Sequence, residues 1–249
     1  MYDFSWHERH GEKTQASAHA VLSIVTEIYT PKSVIDIGCG SGIWLREAKR
    51  LGFSETKGVD GPWTDLDHLC IPPNEVTICD LEHRLNLNRQ FDAALCLEVA
   101  EHVSQASANL IVENLTSLSD VVIFGAAIPY QGGFRHINER WQSWWAEKFA
   151  NHGYQYFDVL RPQIWHNPDV HFWYKQNTLV YVRHDRADLI KIYKDYIANR
   201  SLGSYPLDLV HPERYEALAS YKQIAFKPLL RELPAAVAKR ATGMLLGRR

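Results

Sequence analysis

Two stretches of the chain carry residue types at spacings that do chemistry. The first is VIDIGCGSGIW, residues 34–44, where Asp36 sits in a short apolar run and glycines follow at 38, 40 and 42. Glycine adopts backbone angles closed to other residues and lets a ligand lie against the main chain. A helix that starts directly after such a turn offers unpaired N–H groups, and the positive end of its dipole, to a carboxylate or phosphate. The second stretch is EVAEH, with Glu98, Glu101 and His102 three or four apart, followed by His136 in FRHINERW. Carboxylate oxygens and imidazoles converging from two loops suit Mg²⁺, Mn²⁺ or Fe²⁺, with positions left for substrate oxygens. The same residues allow a metal-free reading in which His136 alone is a general base, its ordinary pKa lying near neutral pH. They also allow a structural reading in which the glutamates and histidine cap the turn.

These residues need elements to position them, and periodicity supplies those elements. Ala18, Val21, Leu22, Val25 and Ile28 recur at helical spacing, so a helix over 14–29 covers the sheet and ends before Pro31. A strand at 33–37 and a helix at about 42–51, stopped by Gly52, flank the glycine turn. A second strand ends at Asp60, about 20 residues past the turn, where an acid that grips a ribose is expected in a dinucleotide-type fold. Strands at 75–81 and 91–97 follow, the first ending at Asp80 and the second running into EVAEHV. A helix at 104–118, a fifth strand closed by Pro129 and a helix ending near His152 come next. YQYFDVLRP and WYKQNTLVYVR alternate and are expected to pair as a terminal antiparallel hairpin.

Strands alternating with helices predict an α/β fold with a doubly wound, mostly parallel sheet whose ligands sit at the carboxyl ends of the strands. Asp36, Asp60, Asp80, Glu98 and the loop after Ile128 all fall at that edge. The expected division is an N-terminal segment with its covering helix (1–30), a sheet domain (31–183) and a helical C-terminal extension (184–249). In the extension, a helix at 186–199 precedes a second helical stretch, 213–233, broken at Pro228, and a basic tail read as a frayed terminus.

The net charge of −2 gives no global footprint for nucleic acid, which is therefore not the expected partner. Cys39, Cys70, Cys79 and Cys96 lack C-x-x-C spacing, and Cys39, Cys79 and Cys96 read as reduced residues in or beside buried strands. No apolar run approaches the roughly 20 residues that span a bilayer, and the first residues lack the apolar run of a signal peptide. A cytoplasmic protein is expected.

Over roughly 33–183 the residues resemble the class I S-adenosylmethionine-dependent methyltransferases. The likeness rests on VIDIGCGSG, GVDG, CDL and FDAALCLEVAEHV, in that order and spacing. It implies a Rossmann-like, seven-stranded sheet with an antiparallel terminal strand, and S-adenosylmethionine as cofactor. By this resemblance Gly38 and Gly40 line the methionine moiety with Asp36 beneath them. Asp60 takes the ribose hydroxyls, Asp80 the adenine amino group, and the backbone of Leu81 the ring edge. Cys39, Gly61 and Leu97 complete the expected cofactor set. E-x-x-E-H with a later histidine is similar to the metal-dependent methyltransferases of small-RNA ends, and the E-x-x-E-H element alone to ubiquinone-pathway O-methyltransferases. Glu98, Glu101, His102 and His136 are accordingly the candidate ligands of Mg²⁺ or Mn²⁺, and Glu101, His102 and His136 the candidate catalytic residues.

IPYQGGFRHINERW and LVHPERY look like methyltransferases of surface-polysaccharide and glycosylated natural-product pathways. Tyr130, Arg135, Trp141, Trp165 and Trp173 are expected near the pocket mouth, whereas at least two of Trp141, Trp144 and Trp145, at helical spacing, are expected to pack on the sheet. The expected activity is O-methylation of a sugar, nucleotide-sugar or similar small hydroxylated acceptor. The alternatives are 2′-O-methylation of an RNA end and a non-catalytic cofactor-binding module. The segment after Arg183 reads as a lid, an acceptor platform or the arm of a homodimer.

Overall fold

The computed structural model describes the backbone of residues 4–223 and the side chains of residues 11–219. The break expected at Pro228 and the basic tail lie outside the described residues. Helix α1 (Phe4–Ile28) begins well before the expected start at Thr14. Its second half is anchored by the fully buried Ala18, Val21, Leu22 and Val25. Once that half is packed, each upstream residue adds one hydrogen bond at little further cost, and no proline stops the propagation. An aperiodic face therefore does not end the helix.

Seven strands form one sheet: β1 (Ser33–Ile37), β2 (Glu55–Asp60), β3 (Val76–Ile78), β4 (Ala93–Leu97), β5 (Val121–Gly125), β6 (Tyr154–Phe157) and β7 (Leu179–Arg183). Their order is β3-β2-β1-β4-β5-β7-β6. The first five run parallel to one another, and β7 is antiparallel to both β5 and β6. The strand order reverses between β1 and β4, and a crevice opens at the carboxyl edge of such a reversal. Helices α2 (Ile43–Arg50), α3 (Ala108–Leu118) and α4 (Gln142–Asn151) connect the strands. Short helices α5 (Arg161–Ile164) and α6 (Phe172–Asn177) lie between β6 and β7, and α7 (Ala187–Arg200) follows.

Alternation along each strand feeds two cores. Val34, Leu95, Ile123 and Val180 pack toward α1, α2 and α7. Ile35, Ile37, Cys96 and Val122 pack toward α3 and α4, where Trp145 and Phe149 are buried. Trp145 thus packs on the sheet, Trp144 sets its ring edge-on to Trp145, and Trp141 stays exposed. The four cysteines are free, with Cys39 and Cys96 buried and Cys70 and Cys79 half-buried. Among the described residues no helix is long and apolar enough to cross a membrane.

Two stretches depart from the sequence reading. The third strand pairs only over Val76–Ile78, so Asp80 has left the sheet before its side chain begins. The stretch 173–183 does not run as one strand: its first half belongs to α6 and only its second half pairs with β6, Tyr154 opposite Arg183. The two strands are antiparallel neighbours joined through two helices, not a tight hairpin. Alternation at 173–177 yields there because Gln176 and Asn177 are buried and hydrogen-bonded, which a solvent-facing strand position would not permit.

The described residues fall into two compact units that meet after Leu209, the second containing α8 (Pro212–Gln223). The boundary expected at Arg183 falls inside the first unit, because α7 packs on it: Tyr193 is fully buried and stacks on Phe157, 5.1 Å between centroids. The loop that ends this unit is tied back by Arg161, whose side chain is completely buried. Its guanidinium donates to both carboxylate oxygens of Asp158, at 2.9 and 2.7 Å, and to the carbonyls of Leu207 and Pro206, at 2.9 and 3.1 Å. Arg161→Met leaves that carboxylate and two carbonyls without their donor. Urea unfolding should show a loss of about 3 kcal/mol or more, and a change below about 0.5 kcal/mol would show that the tether contributes nothing.

Candidate active site

The glycine turn is held by its neighbours on both sides. Gly38 has φ +82°, and a Cβ there would lie 2.3 Å from Val99 Cγ2, so the turn after β1 and the turn after β4 touch. The N–H groups of Gly38 and Cys39 donate to the Val59 carbonyl, at 2.7 and 3.2 Å. Gly42, also at positive φ, opens α2 and rests on Ile71. Asp60 ties the turn to β2: one carboxylate oxygen accepts from Gly40 N–H and the other from Gly61 N–H, each at 2.6 Å. The side chains of Trp63 and Thr64 approach the same carboxylate. Gly61 lies beneath the Trp63 indole, which a Cβ would strike at 2.2 Å.

Asp36 and Asp60 are both buried at this edge. Burial, reinforced by the Asp60 charge, pushes the Asp36 carboxyl up to about 8. Burial also raises Asp60, partly offset by the backbone bonds from Gly61 and Gly40. Asp80, by contrast, is exposed and engaged in a local turn, accepting from Glu82 N–H at 2.9 Å and pairing with His83 at 3.2 Å. The side chains of Leu81 and Leu97 are buried in the apolar cores.

The E-x-x-E-H residues separate. Glu98 follows β4 with φ +57°, a left-handed backbone uncommon for a side-chain-bearing residue. Its two oxygens accept from Asn177 Nδ2 at 2.8 Å and Gln131 Nε2 at 2.7 Å. Gln176 completes the network by donating to Gln131 and Asn177. Burial pushes Glu98 up to about 7. Glu98 is thus held by amides and stands apart from the expected ligand set, a correction that traces to α6: a strand at 173–177 would not have delivered Gln176 and Asn177 here.

Glu101, His102 and His136 do come together, with one ligand atom of each lying within 4.8 Å of the others. Glu101 has no exposed surface, and neither carboxylate oxygen has a hydrogen-bond partner. Burial drives its carboxyl well above the usual range and the Glu98 charge adds to this, while the nearby backbone N–H groups of Glu101 and Ala127 partly oppose it. His136 Nε2 is 3.9 Å from Glu101 Oε1, while its Nδ1 meets Glu139 at 2.9 Å. The His102 and His136 rings meet edge to face, 4.9 Å apart. Burial, and then the charge of His136, lower His102 to about 4, so it is a neutral imidazole at neutral pH, the form that ligates metals. The loop reaches the cluster because the Glu101 carbonyl accepts from the N–H groups of Ile137 and Asn138, at 2.9 and 3.0 Å. A buried carboxylate without a hydrogen bond, facing two imidazoles, fits a divalent cation in kind and number of donors.

A family model described as a methyltransferase domain matches residues 6–160, well over half of the chain, spanning the glycine turn and this cluster. The chain belongs to the S-adenosylmethionine-dependent methyltransferase family. No curated protein sequence matches it. Solved structures share the fold at low identity. The sugar N-methyltransferase of Streptoalloteichus sp ATCC 53650 is 17% identical with a TM-score of 0.55, covering 73% of this chain and 93% of its own. The amino pentose methyltransferase of calicheamicin biosynthesis from Micromonospora echinaspora is 14% identical with a TM-score of 0.54, covering 74% and 98%. The magnesium protoporphyrin IX methyltransferase of Synechocystis PCC 6803, solved with S-adenosylmethionine bound, is 18% identical with a TM-score of 0.52, covering 74% and 85%.

Sequence reasoning missed Gln131, Gln176, Asn177 and Glu139. A usable signal existed for Glu139 alone, three residues after His136 in a loop. In this methyltransferase two expectations follow from the cofactor side. Asp36 keeps its proton to about 8 when folded and to about 4 when unfolded. Its contribution is therefore fully present at low pH and is lost as pH rises between those values. Urea unfolding without cofactor should show stability falling across pH 5–8 by up to about 1.4 kcal/mol per unit, a slope that Asp36→Asn removes; equal slopes would count against it. Gly38→Ala forces a methyl against Val99 in a left-handed backbone, so calorimetry should find S-adenosylhomocysteine bound at least about fivefold more weakly, the loss that overpacking of about 1–3 kcal/mol implies.

Proposed function

We propose that this methyltransferase acts on a hydroxyl of a sugar, nucleotide-sugar or similar small polar acceptor, with a divalent metal held by Glu101, His102 and His136. The observation that carries the reading is the Glu101 carboxylate, buried without a hydrogen bond and facing two imidazoles. Mg²⁺ or Mn²⁺ bound there supplies a Lewis acid that lowers the pKa of an acceptor hydroxyl. An amine needs only to lose its ordinary proton, so such a cluster is better suited to a hydroxyl.

The rest of the reaction is positioning. The methyl passes in line from sulfonium to nucleophile, and holding the two in place is worth an effective molarity of about 10⁵ M or more. Asp60 would hold the ribose, Asp36 would stand beneath the methionine, and Asp80 with the Leu81 backbone would meet the adenine. Tyr130, 81% exposed, with Phe134 and Trp141, lines the loop that carries His136. Exposed aromatic faces there suit the apolar face of a sugar ring, and sugar methyltransferases among the structural neighbours support that acceptor class.

A second reading rests on a specific contact: Glu139 orients His136 as a carboxylate orients a general base, 2.9 Å from Nδ1. An RNA-end acceptor is the weaker alternative, because Glu98 is spent on amides and the net charge of −2 favours no phosphate chain.

Titration of Mn²⁺ into metal-stripped protein saturated with S-adenosylhomocysteine should show one ion per chain, lost in Glu101→Ala and His136→Ala. Labelled S-adenosylmethionine should then methylate a hydroxyl in a panel of sugars and nucleotide-sugars. No heat in the wild type would remove the metal and leave His136 as the base, to be read from a pH–rate profile. Methyl found on an amine or an RNA end would overturn the acceptor assignment.

A further inference from the structure

We infer that Glu139 and Gly133 are the positioning elements that hold His136 in the Nδ1–H tautomer with Nε2 turned toward Glu101. The inference rests on the reading of His136 as ligand or base, and it concerns neither the metal nor the acceptor directly.

Glu139 is the hub of its loop. One of its oxygens accepts from Gly132 N–H at 2.7 Å and pairs with His136 Nδ1 at 2.9 Å, and the other accepts from Tyr130 N–H at 2.7 Å. Both Glu139 oxygens already accept from backbone N–H groups, which sets the carboxylate as an acceptor toward Nδ1, and an imidazole that donates from Nδ1 leaves Nε2 bare. That nitrogen is the one 3.9 Å from Glu101. The loop holds Tyr130, Gly132 and Arg135 at φ +68°, +71° and +59°. For Tyr130 and Arg135 such angles are strained and persist only where surroundings impose them. The Glu139 carboxylate bonds directly to the first two of these three residues.

The adjacent glycines do different work. Gly132 sits in the left-handed region, where glycine relieves the backbone. Gly133 does not, and it is small for the sake of the ring: a Cβ there would lie 2.1 Å from His136 Nε2 and 2.4 Å from Cε1. The imidazole therefore lies between the Gly133 backbone and the His102 ring, with Glu139 on its Nδ1. Neither Glu139 nor Gly133 belongs to the cluster itself, and each would act only through His136.

The test uses the full chain with ¹⁵N-labelled histidine, metal-stripped and saturated with S-adenosylhomocysteine, at about pH 8, above the ordinary imidazole pKa. Long-range ¹H–¹⁵N spectra, with His136 assigned from His136→Gln, should show a protonated Nδ1 and a bare Nε2. Glu139→Ala should shift His136 toward the Nε2–H tautomer. Glu139→Gln, whose carbonyl oxygen still accepts from Nδ1–H, should restore the original pattern. Gly133→Ala, without backbone strain, should leave the thermal midpoint and S-adenosylhomocysteine affinity in place while weakening Mn²⁺ at least about tenfold, the lower end of what lost support of a histidine ligand costs. An Nε2–H tautomer in the wild type, or a His136 pattern unchanged in Glu139→Ala, would overturn the inference. A wild type that takes up no Mn²⁺ overturns the metal reading by itself, and the tautomer then decides this one alone.

Discussion

The Glu101 carboxylate lies in the interior with neither oxygen hydrogen-bonded, and the carboxyl edge of the sheet is arranged around it. An isolated buried charge costs several kcal/mol, so such a group either holds a proton or meets a cation. The protein places both resolutions at hand. Burial and the neighbouring Glu98 raise the carboxyl so that it holds its proton more tightly, while two imidazoles stand close beside it. Its backbone carbonyl meanwhile pins Ile137 and Asn138, which brings the histidine-bearing loop across the edge. One residue thus sets both the charge of the site and the path of the loop above it.

The cofactor half and the cluster half meet within a single turn. Val99 presses on Gly38, two residues before Glu101, so the glycine turn and the candidate metal site share a wall. Asp60 does on one side what Glu139 does on the other: a carboxylate gathers two backbone N–H groups and holds them in a fixed relation, from two turns for Asp60 and from one loop for Glu139. Both halves sit at the strand-order reversal between β1 and β4, where the crossover helices depart to opposite faces and leave the edge open. The fold supplies proximity and the two acids supply alignment.

Much of this was legible without coordinates. The first and fourth strands follow from apolar runs, and the second from the glycines that flank it at 52 and 61, signals local in the chain. The third strand was overread because an apolar run does not say where pairing ends, and Asp80 accordingly turns outward. The stretch 173–177 alternates like a strand yet winds as a helix, since its amides find buried partners on other elements.

By itself the sequence determined the α/β class, the glycine turn and the family, because periodicity and glycine punctuation act over a few residues. Only the tertiary structure decided which glutamate of E-x-x-E-H faces the imidazoles. Glu98 and Glu101 are indistinguishable in type and spacing, but the amides that claim Glu98 come from positions 33 and 79 residues away. The carboxylate that the amides leave to face the imidazoles is Glu101, and which of the two that would be depends on where distant residues lie after folding.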